Sequence, residues 1–263
     1  MIEMEGIQPP TPMRLVREIL NIPPRKFYKL ILGEKLKLLD YDGFLLLLRE
    51  GYSLYRWGDG ETAIARGKSI SYQTSSSQLA RKLLLLASSS HSSTIHGLSW
   101  AYFSPITDKK WRSKKLFKVM FSTRVFLIKN HNISESSPYV ETQIWYGRNE
   151  KLLEDLTDII GSRPTLLVAN DRKFLEAVPG HANFLQCPNK NAFEVYDQLK
   201  ESIDEWLKAQ DNLQKPCILL CAGPTSKALV LEFRDVAQAI DIGHGLNFYL
   251  HGFGQYAWKT KEK

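Results

Sequence analysis

The 263-residue sequence has few cysteines and no long apolar run. Its longest purely apolar stretch is six residues, Cys217–Ala222. A membrane-spanning helix needs about 20. The first residues, MIEMEGIQPPTP, have no apolar core, which predicts that they are not a signal peptide. Cys187, Cys217 and Cys221 are too few and odd in number for a disulfide framework, so buried thiols in a reducing compartment are expected. Several chemical signatures are also absent. There is no Gly-x-Gly-x-x-Gly after a strand, no Walker A loop, no His-Glu-x-x-His, no Gly-x-Ser-x-Gly and no Cys-x-x-Cys. What is present is an ordinary globular composition, 43% apolar and 24% charged, in a chain long enough for a sizeable core.

The net charge is +7, and it is concentrated. Residues 14–37 carry Arg14, Arg17, Arg25, Lys26, Lys29, Lys35 and Lys37 against Glu18 and Glu34. Residues 108–118 carry Lys109, Lys110, Arg112, Lys114, Lys115 and Lys118 against Asp108. Such clusters suit anionic partners, namely phosphates, anionic lipid or nucleic acid, or they form a solvated face. Nucleic acid is the weakest of these readings, since no zinc-finger, RNP or helix-turn-helix pattern appears.

Apolar spacing predicts helices over 11–21, 35–50, 78–87, 108–121 and 150–160, the last ended by Gly161. Further on, Asn191 is placed as the cap of a helix, and another helix follows over 225–234. Strands are expected at 53–57, 94–98, 125–128, 164–169, 183–187, 216–222 and 238–242. Their alternation with helices, and their continuous hydrophobicity, indicate an α/β fold with a mostly parallel sheet covered by helices on both faces. The expected organisation is an N-terminal helical extension over 1–50 and a single catalytic or binding domain over 51–263. Ligands of such sheets bind at the carboxyl ends of the strands.

Three constellations fall at those ends. The first is Arg56-Trp57-Gly58-Asp59-Gly60-Glu61. Asp59 and Glu61 could share a hard cation such as Mg²⁺ or Mn²⁺, with a diphosphate completing the shell. Arg56 could meet a phosphate, and Gly58 and Gly60 allow close backbone approach. A plain Gly-Asp-Gly turn with a first-turn acid explains the same letters. The second is Ala222-Gly223-Pro224-Thr225-Ser226-Lys227, a helix start suited to an anion or simply capped by Thr225. Lys227 is an unusual cation for a first turn unless an anion is near. The third is Asp241-Ile242-Gly243-His244-Gly245, where Asp241 and His244 could bind a sugar hydroxyl or phosphate, or move a proton. Asn170 and Arg172 follow another strand and could contact phosphate. Trp100, Tyr102 and Phe103 are either a sugar platform or core.

Taken together, these motifs resemble the bacterial GT-D-type glycosyltransferases, through Arg56–Glu61, Gly223–Thr225 and Asp241–His244. Gln73 and the Cys187–Phe193 stretch with its Asn191 extend the likeness over about residues 50 to 250. The resemblance implies a Rossmann-like domain and a metal-dependent transfer of a hexose from a nucleotide sugar, usually UDP-linked. The acceptor would be a saccharide, glycoprotein or lipid-linked glycan. By position it makes Asp59 and Glu61 metal and diphosphate residues and places Thr225, Asp241 and His244 in the same pocket. The sequence departs from the family pattern at 141–146, at 245–249 and after Ala169, where donor and acceptor contacts would lie. The alternatives are a non-catalytic nucleotide- or lipid-binding module of the same fold and a metal-dependent phosphotransferase. The expected location is cytoplasmic, with peripheral contact at the inner membrane face through the basic clusters.

Overall fold

A computed structural model describes residues 12–246, except 90, 113, 133–136, 143, 145–148, 179, 181, 211–213 and 244. Its centre is one seven-stranded sheet with every pairing parallel. The strands are β1 (Ser53–Trp57), β2 (Thr94–Leu98), β3 (Tyr139–Glu141), β4 (Thr165–Ala169), β5 (Asn183–Gln186), β6 (Cys217–Leu220) and β7 (Gln238–Asp241). Their spatial order is β3-β2-β1-β7-β6-β4-β5. β1, β2, β4, β6 and β7 are buried along their whole length, which explains why their sequences run apolar rather than alternating.

Helices cover both faces. Those described are α1 (Pro12–Leu20), α2 (Lys29–Leu32), α3 (Tyr41–Arg49), α4 (Asp59–Ala65), α5 (Ser77–Ser88), α6 (Trp100–Phe103), α7 (Lys114–Asn130), α8 (Asn149–Ile160), α9 (Tyr196–Lys208) and α10 (Pro224–Phe233). One core cluster lies beneath α4, α5, α7, α9 and α10, and a second beneath α3 and α8. Gly161, at φ +56°, ends α8. Trp100 and Tyr102 are buried, so they belong to the packing and not to an open platform. Cys187 and Cys217 are buried free thiols, and Cys221 packs against the second cluster.

Three local expectations are corrected. Residues 125–128 are not a strand but the centre of α7, which packs against α1, α2, α4, α5 and α6. Val125, Phe126, Leu127 and Ile128 are all buried there, and a four-residue apolar run carries no period to separate helix from strand. Residues 35–39 are extended rather than helical. Leu38 bridges Tyr139, and α3 begins after Asp40, whose side chain accepts from the Gly43 N–H at 2.8 Å. Asn191 stands at the N-cap position of a 3-10 turn, Ala192–Val195, that leads into α9, but its side chain does not cap it. It takes a left-handed backbone (φ +57°), and its side chain accepts from the Thr74 N–H at 2.8 Å.

The first core also encloses polar groups. Tyr55 and His96 are register partners on β1 and β2, and His131 follows α7. The Tyr55 hydroxyl lies 2.7 Å from His96 Nδ1 and 3.4 Å from His131 Nε2. Burial, and then the neighbouring imidazole, pull His96 down to about 3. Burial pulls His131 down to about 4. Both rings are therefore neutral in the fold, whereas the unfolded chain protonates them below about 6.5. The unfolded state binds more protons in that window, so stability is complete above it and is lost as pH falls from 6.5 towards 4. By pH 5 the loss should be about 2 kcal/mol per imidazole. Urea unfolding midpoints at pH 7.5 and 5.0 check this, and His131→Gln should remove about half of the difference.

Candidate active site

The site lies at the carboxyl ends of two central strands, β1 and β7, which pair through Leu54 and Ile240. After β1 the chain turns at Gly58 and enters α4. Trp57 anchors the turn by stacking on Phe126 and donating its indole N–H to the Thr62 hydroxyl at 3.0 Å. Glu61 reaches back, and its Oε2 accepts from the Gly58 N–H at 2.8 Å. This capping interaction satisfies a helix-start donor and fixes the carboxylate.

Glu61 Oε1 lies 3.0 Å from Lys227 Nζ. The same ammonium lies 2.9 Å from Asp241 Oδ2 and donates to the Gly223 carbonyl at 3.2 Å. An ammonium has three N–H donors, and these three acceptors use them all. Asp241 Oδ2 also accepts from the backbone N–H of Arg56 at 3.2 Å, and Arg56 Nη2 lies 3.6 Å from Oδ1. Asp241 is fully buried, and Lys227, Glu61 and Arg56 nearly so. Burial alone would raise the Asp241 carboxyl, but Lys227 and Arg56 outweigh it and hold the group below its ordinary value. Burial alone would lower Lys227, but Asp241 and Glu61 outweigh it and hold the ammonium above its ordinary value. Among the described residues, two cations and two anions thus form a neutral set.

Asp59 stands outside that set. It is the first residue of α4, and no ion pair to it is present among the described residues. Burial, then the Glu61 charge, push its carboxyl up, while the N–H groups of Asp59 and Gly60 pull against the shift. Among the described residues no cation offsets the Asp59 carboxyl. Among the described residues no three His, Cys, Asp or Glu side chains converge on a common metal position. A hard cation can nevertheless be held by one or two carboxylates when phosphates complete its shell, so Asp59 with Glu61 fits such an ion.

The glycines of the motifs have different tasks. Gly58 has an extended backbone (φ −119°), and an added Cβ at Gly60 would make only ordinary contacts, so neither needs glycine's left-handed freedom. Gly223 and Gly243 do. Gly223 has φ +57°, and a Cβ there would meet the Tyr72 ring at 3.0 Å. Gly243 has φ +56°, and a Cβ would lie 1.6 Å from Arg56 Nη2. On the other side, a Cβ at Gly97 of β2 would meet Arg56 Cγ at 2.9 Å. The arginine passes between these two glycines and donates from Nη1 to the Thr142 carbonyl at 3.4 Å.

Arg56, Glu61, Lys227 and Asp241 are thus brought into contact. Thr225 is fully buried below them, with its hydroxyl 3.5 Å from Gln73 Oε1. Gln73 also accepts from the Phe193 N–H at 3.3 Å. With the Asn191–Thr74 bond, it ties the 70–74 loop to the 191–193 loop beside the start of α10. Asn170 and Arg172 lie elsewhere, beyond β6. Asn170 donates to Asn189 at 3.0 Å, and the exposed Arg172 stacks 5.6 Å over Phe184. His244 lies outside the described residues. Gly97 and Tyr72 gave no sequence signal. Lys227 did give one, as a cation in a helix's first turn, but the anions that explain it belong to the protein itself.

This charge set lies at the carboxyl ends of adjacent parallel strands, where open α/β sheets bind their ligands. Comparison with known proteins narrows this. The model of the glycosyltransferase GT-D fold family matches residues 54–257, and the chain belongs to that family of glycosyltransferases. It is 25% identical over 228 residues to a probable glycosyl transferase Gly of Streptococcus gordonii, covering 78% of this chain and 30% of that protein. The chain thus spans about a third of that relative's length. A solved structure described as domain of unknown function 1792 with a distinct glycosyltransferase fold matches at 23% identity and TM-score 0.66, covering 86% of each chain. A further solved structure, a glycosyltransferase from Streptococcus sanguinis, matches at 22% identity and TM-score 0.63, covering 83% of this chain and 86% of that one. These structural likenesses extend to the fold.

Lys227→Met would leave Glu61 and Asp241 buried without their cation. Loss of about 3–5 kcal/mol of stability is expected in urea unfolding. Adding Asp241→Asn to Lys227→Met should recover part of that loss, because the uncompensated charge is then removed.

Proposed function

We propose that this glycosyltransferase moves a hexose from a UDP-linked sugar to a saccharide, glycoprotein or lipid-linked glycan, with Mn²⁺ or Mg²⁺ as cofactor. The observation that carries the reading is the Asp59 carboxyl, which has no ion pair among the described residues, beside a set of charges that balance one another. Asp59, with a remaining lone pair of Glu61, would hold the cation against the diphosphate. When bound, a hard divalent ion neutralises the charge that develops on the departing diphosphate.

The chain's own groups supply positioning. Lys227 fixes the Glu61 carboxylate, so that α4 presents Asp59 in one place. Gly58 and Gly60 keep the α4 entrance free of bulk where the diphosphate would approach. Asp241 is sealed from solvent and holds Arg56 and Lys227. A carboxylate kept so acidic is a poor base, so its role in this reading is to orient, and the motif leaves His244 as the group for the acceptor proton. Thr225 acts through Gln73 as a support of the loop that borders the site. Asn170 and Arg172 would meet only the far part of a donor extending past β6 towards β4. The proposed setting is cytoplasmic.

Hydrolysis and transfer assays that measure UDP release from UDP-hexoses test this. Activity should need Mn²⁺ or Mg²⁺, vanish with EDTA, and fall on the order of a hundredfold or more in Asp59→Asn. Glu61→Gln should lose activity and also stability, since it breaks the Lys227 pair, whereas Asp59→Asn should keep its melting temperature. Turnover that persists in EDTA and in Asp59→Asn would refute the metal assignment.

A further inference from the structure

Ten large apolar side chains are exposed among the described residues, and seven of them lie between Met13 and Leu32. Single exposed apolar residues are ordinary, but a concentration on one segment marks a contact surface. α1 turns Leu15 and Ile19 towards the core. Met13, Val16 and Leu20, spaced three and four residues apart, are exposed. Phe27, Tyr28, Ile31 and Leu32 continue the exposed set through α2. Both helices pack on α7, which holds the two segments on one side of the molecule.

Basic groups border this apolar face. Arg17, Lys35 and Lys37 are exposed on the same segment. The Ile31 carbonyl accepts from the Ile106 N–H at 2.8 Å, so the second basic run follows directly, with Lys109, Arg112 and Lys118 exposed. The acids nearby are engaged. Glu18 pairs with Arg66, Glu34 with Lys29, and Asp108 accepts from the Ser104 hydroxyl. Asp108 keeps its charge, and the charge around the apolar face is predominantly positive.

We propose that this face docks on an anionic membrane surface. The apolar side chains would enter the boundary between headgroups and acyl chains, and the surrounding lysines and arginines would meet anionic headgroups. A second copy of the chain fits less well, because a two-fold contact would oppose like charges. The contact is peripheral: among the described residues no helix is long and apolar enough to cross a membrane. α4 runs from Asp59 in the site to the turn at Arg66, which Glu18 of α1 holds. Seven helical residues span about 10 Å, so the docked face lies within reach of an acceptor carried on lipid. This last consequence rests on the proposed transfer reaction, but the docking itself does not.

Vesicle sedimentation with the full chain, without donor or metal, tests the docking. Phosphatidylcholine vesicles containing phosphatidylglycerol should bind at least tenfold better than phosphatidylcholine alone, and 0.5 M salt should abolish most of the difference. Lys109→Glu with Arg112→Glu, and separately Val16→Ser with Leu20→Ser, should each weaken binding about tenfold with unchanged thermal melts. Equal binding to both vesicle types, or binding unaffected by salt and by both variant pairs, would overturn the proposal. So would the absence of vesicle binding together with a dimer in light scattering that the apolar variant dissolves. The salt series uses the unaltered chain, so it decides the matter even if a variant folds poorly. Loss of transfer activity with vesicle binding intact would count against the reaction alone.

Discussion

One ammonium group organises the centre of this molecule. Lys227 receives a carboxylate from α4, a carboxylate from β7 and the carbonyl that opens its own helix. Taking a lysine out of water is costly, and it is tolerated here only because every donor is matched. The consequence is geometric. α4, α10 and β7 cannot shift independently without exposing a buried charge, so the first turn of α4 is held rigidly where a ligand would arrive. Arg56 adds the second cation. Its path between Gly97 and Gly243 fixes β1, β2 and the end of β7 in the same arrangement.

The pattern separates support from reaction within one motif. Of the two acids at 59 and 61, one is paired within the protein and the other, half-buried, has no ion pair among the described residues. The same division runs through the later motifs. Gly223 and Gly243 provide clearance, Thr225 and Asp241 provide support, and neither of the latter two faces the solvent. A motif conserving six letters in a row need not put six side chains on a ligand.

Most of the architecture was legible from sequence because buried parallel strands write themselves as short apolar runs. PCILLCA and PTLLVA could hardly be anything else beside amphipathic helices. The run at Val125–Ile128 misled because it is equally apolar, and only its neighbours on every side make it a helix. At the site, the motif residues Arg56, Glu61 and Asp241 were legible, and so was the oddity of Lys227. That they form one set was not, since they are joined across the sheet and no spacing encodes it. Gly97 was invisible for the same reason: its need for a bare Cα arises from an arginine on another strand. Asn191 was read as a cap from its place before a helix, whereas its side chain serves the distant Thr74.

The bond between the Arg56 backbone and Asp241 joins residues 185 positions apart. Among the described strands β1 comes first in sequence and β7 last, yet they lie side by side. During synthesis β1 can pair with β2 early, whereas its pairing with β7 must wait until Asp241 has been made, and long-range pairings of this kind form late. A nascent or truncated chain that stops before β7 lacks the acid that stabilises Lys227 and Arg56. The charges that shape the site therefore balance only once β7 has joined β1 to β6.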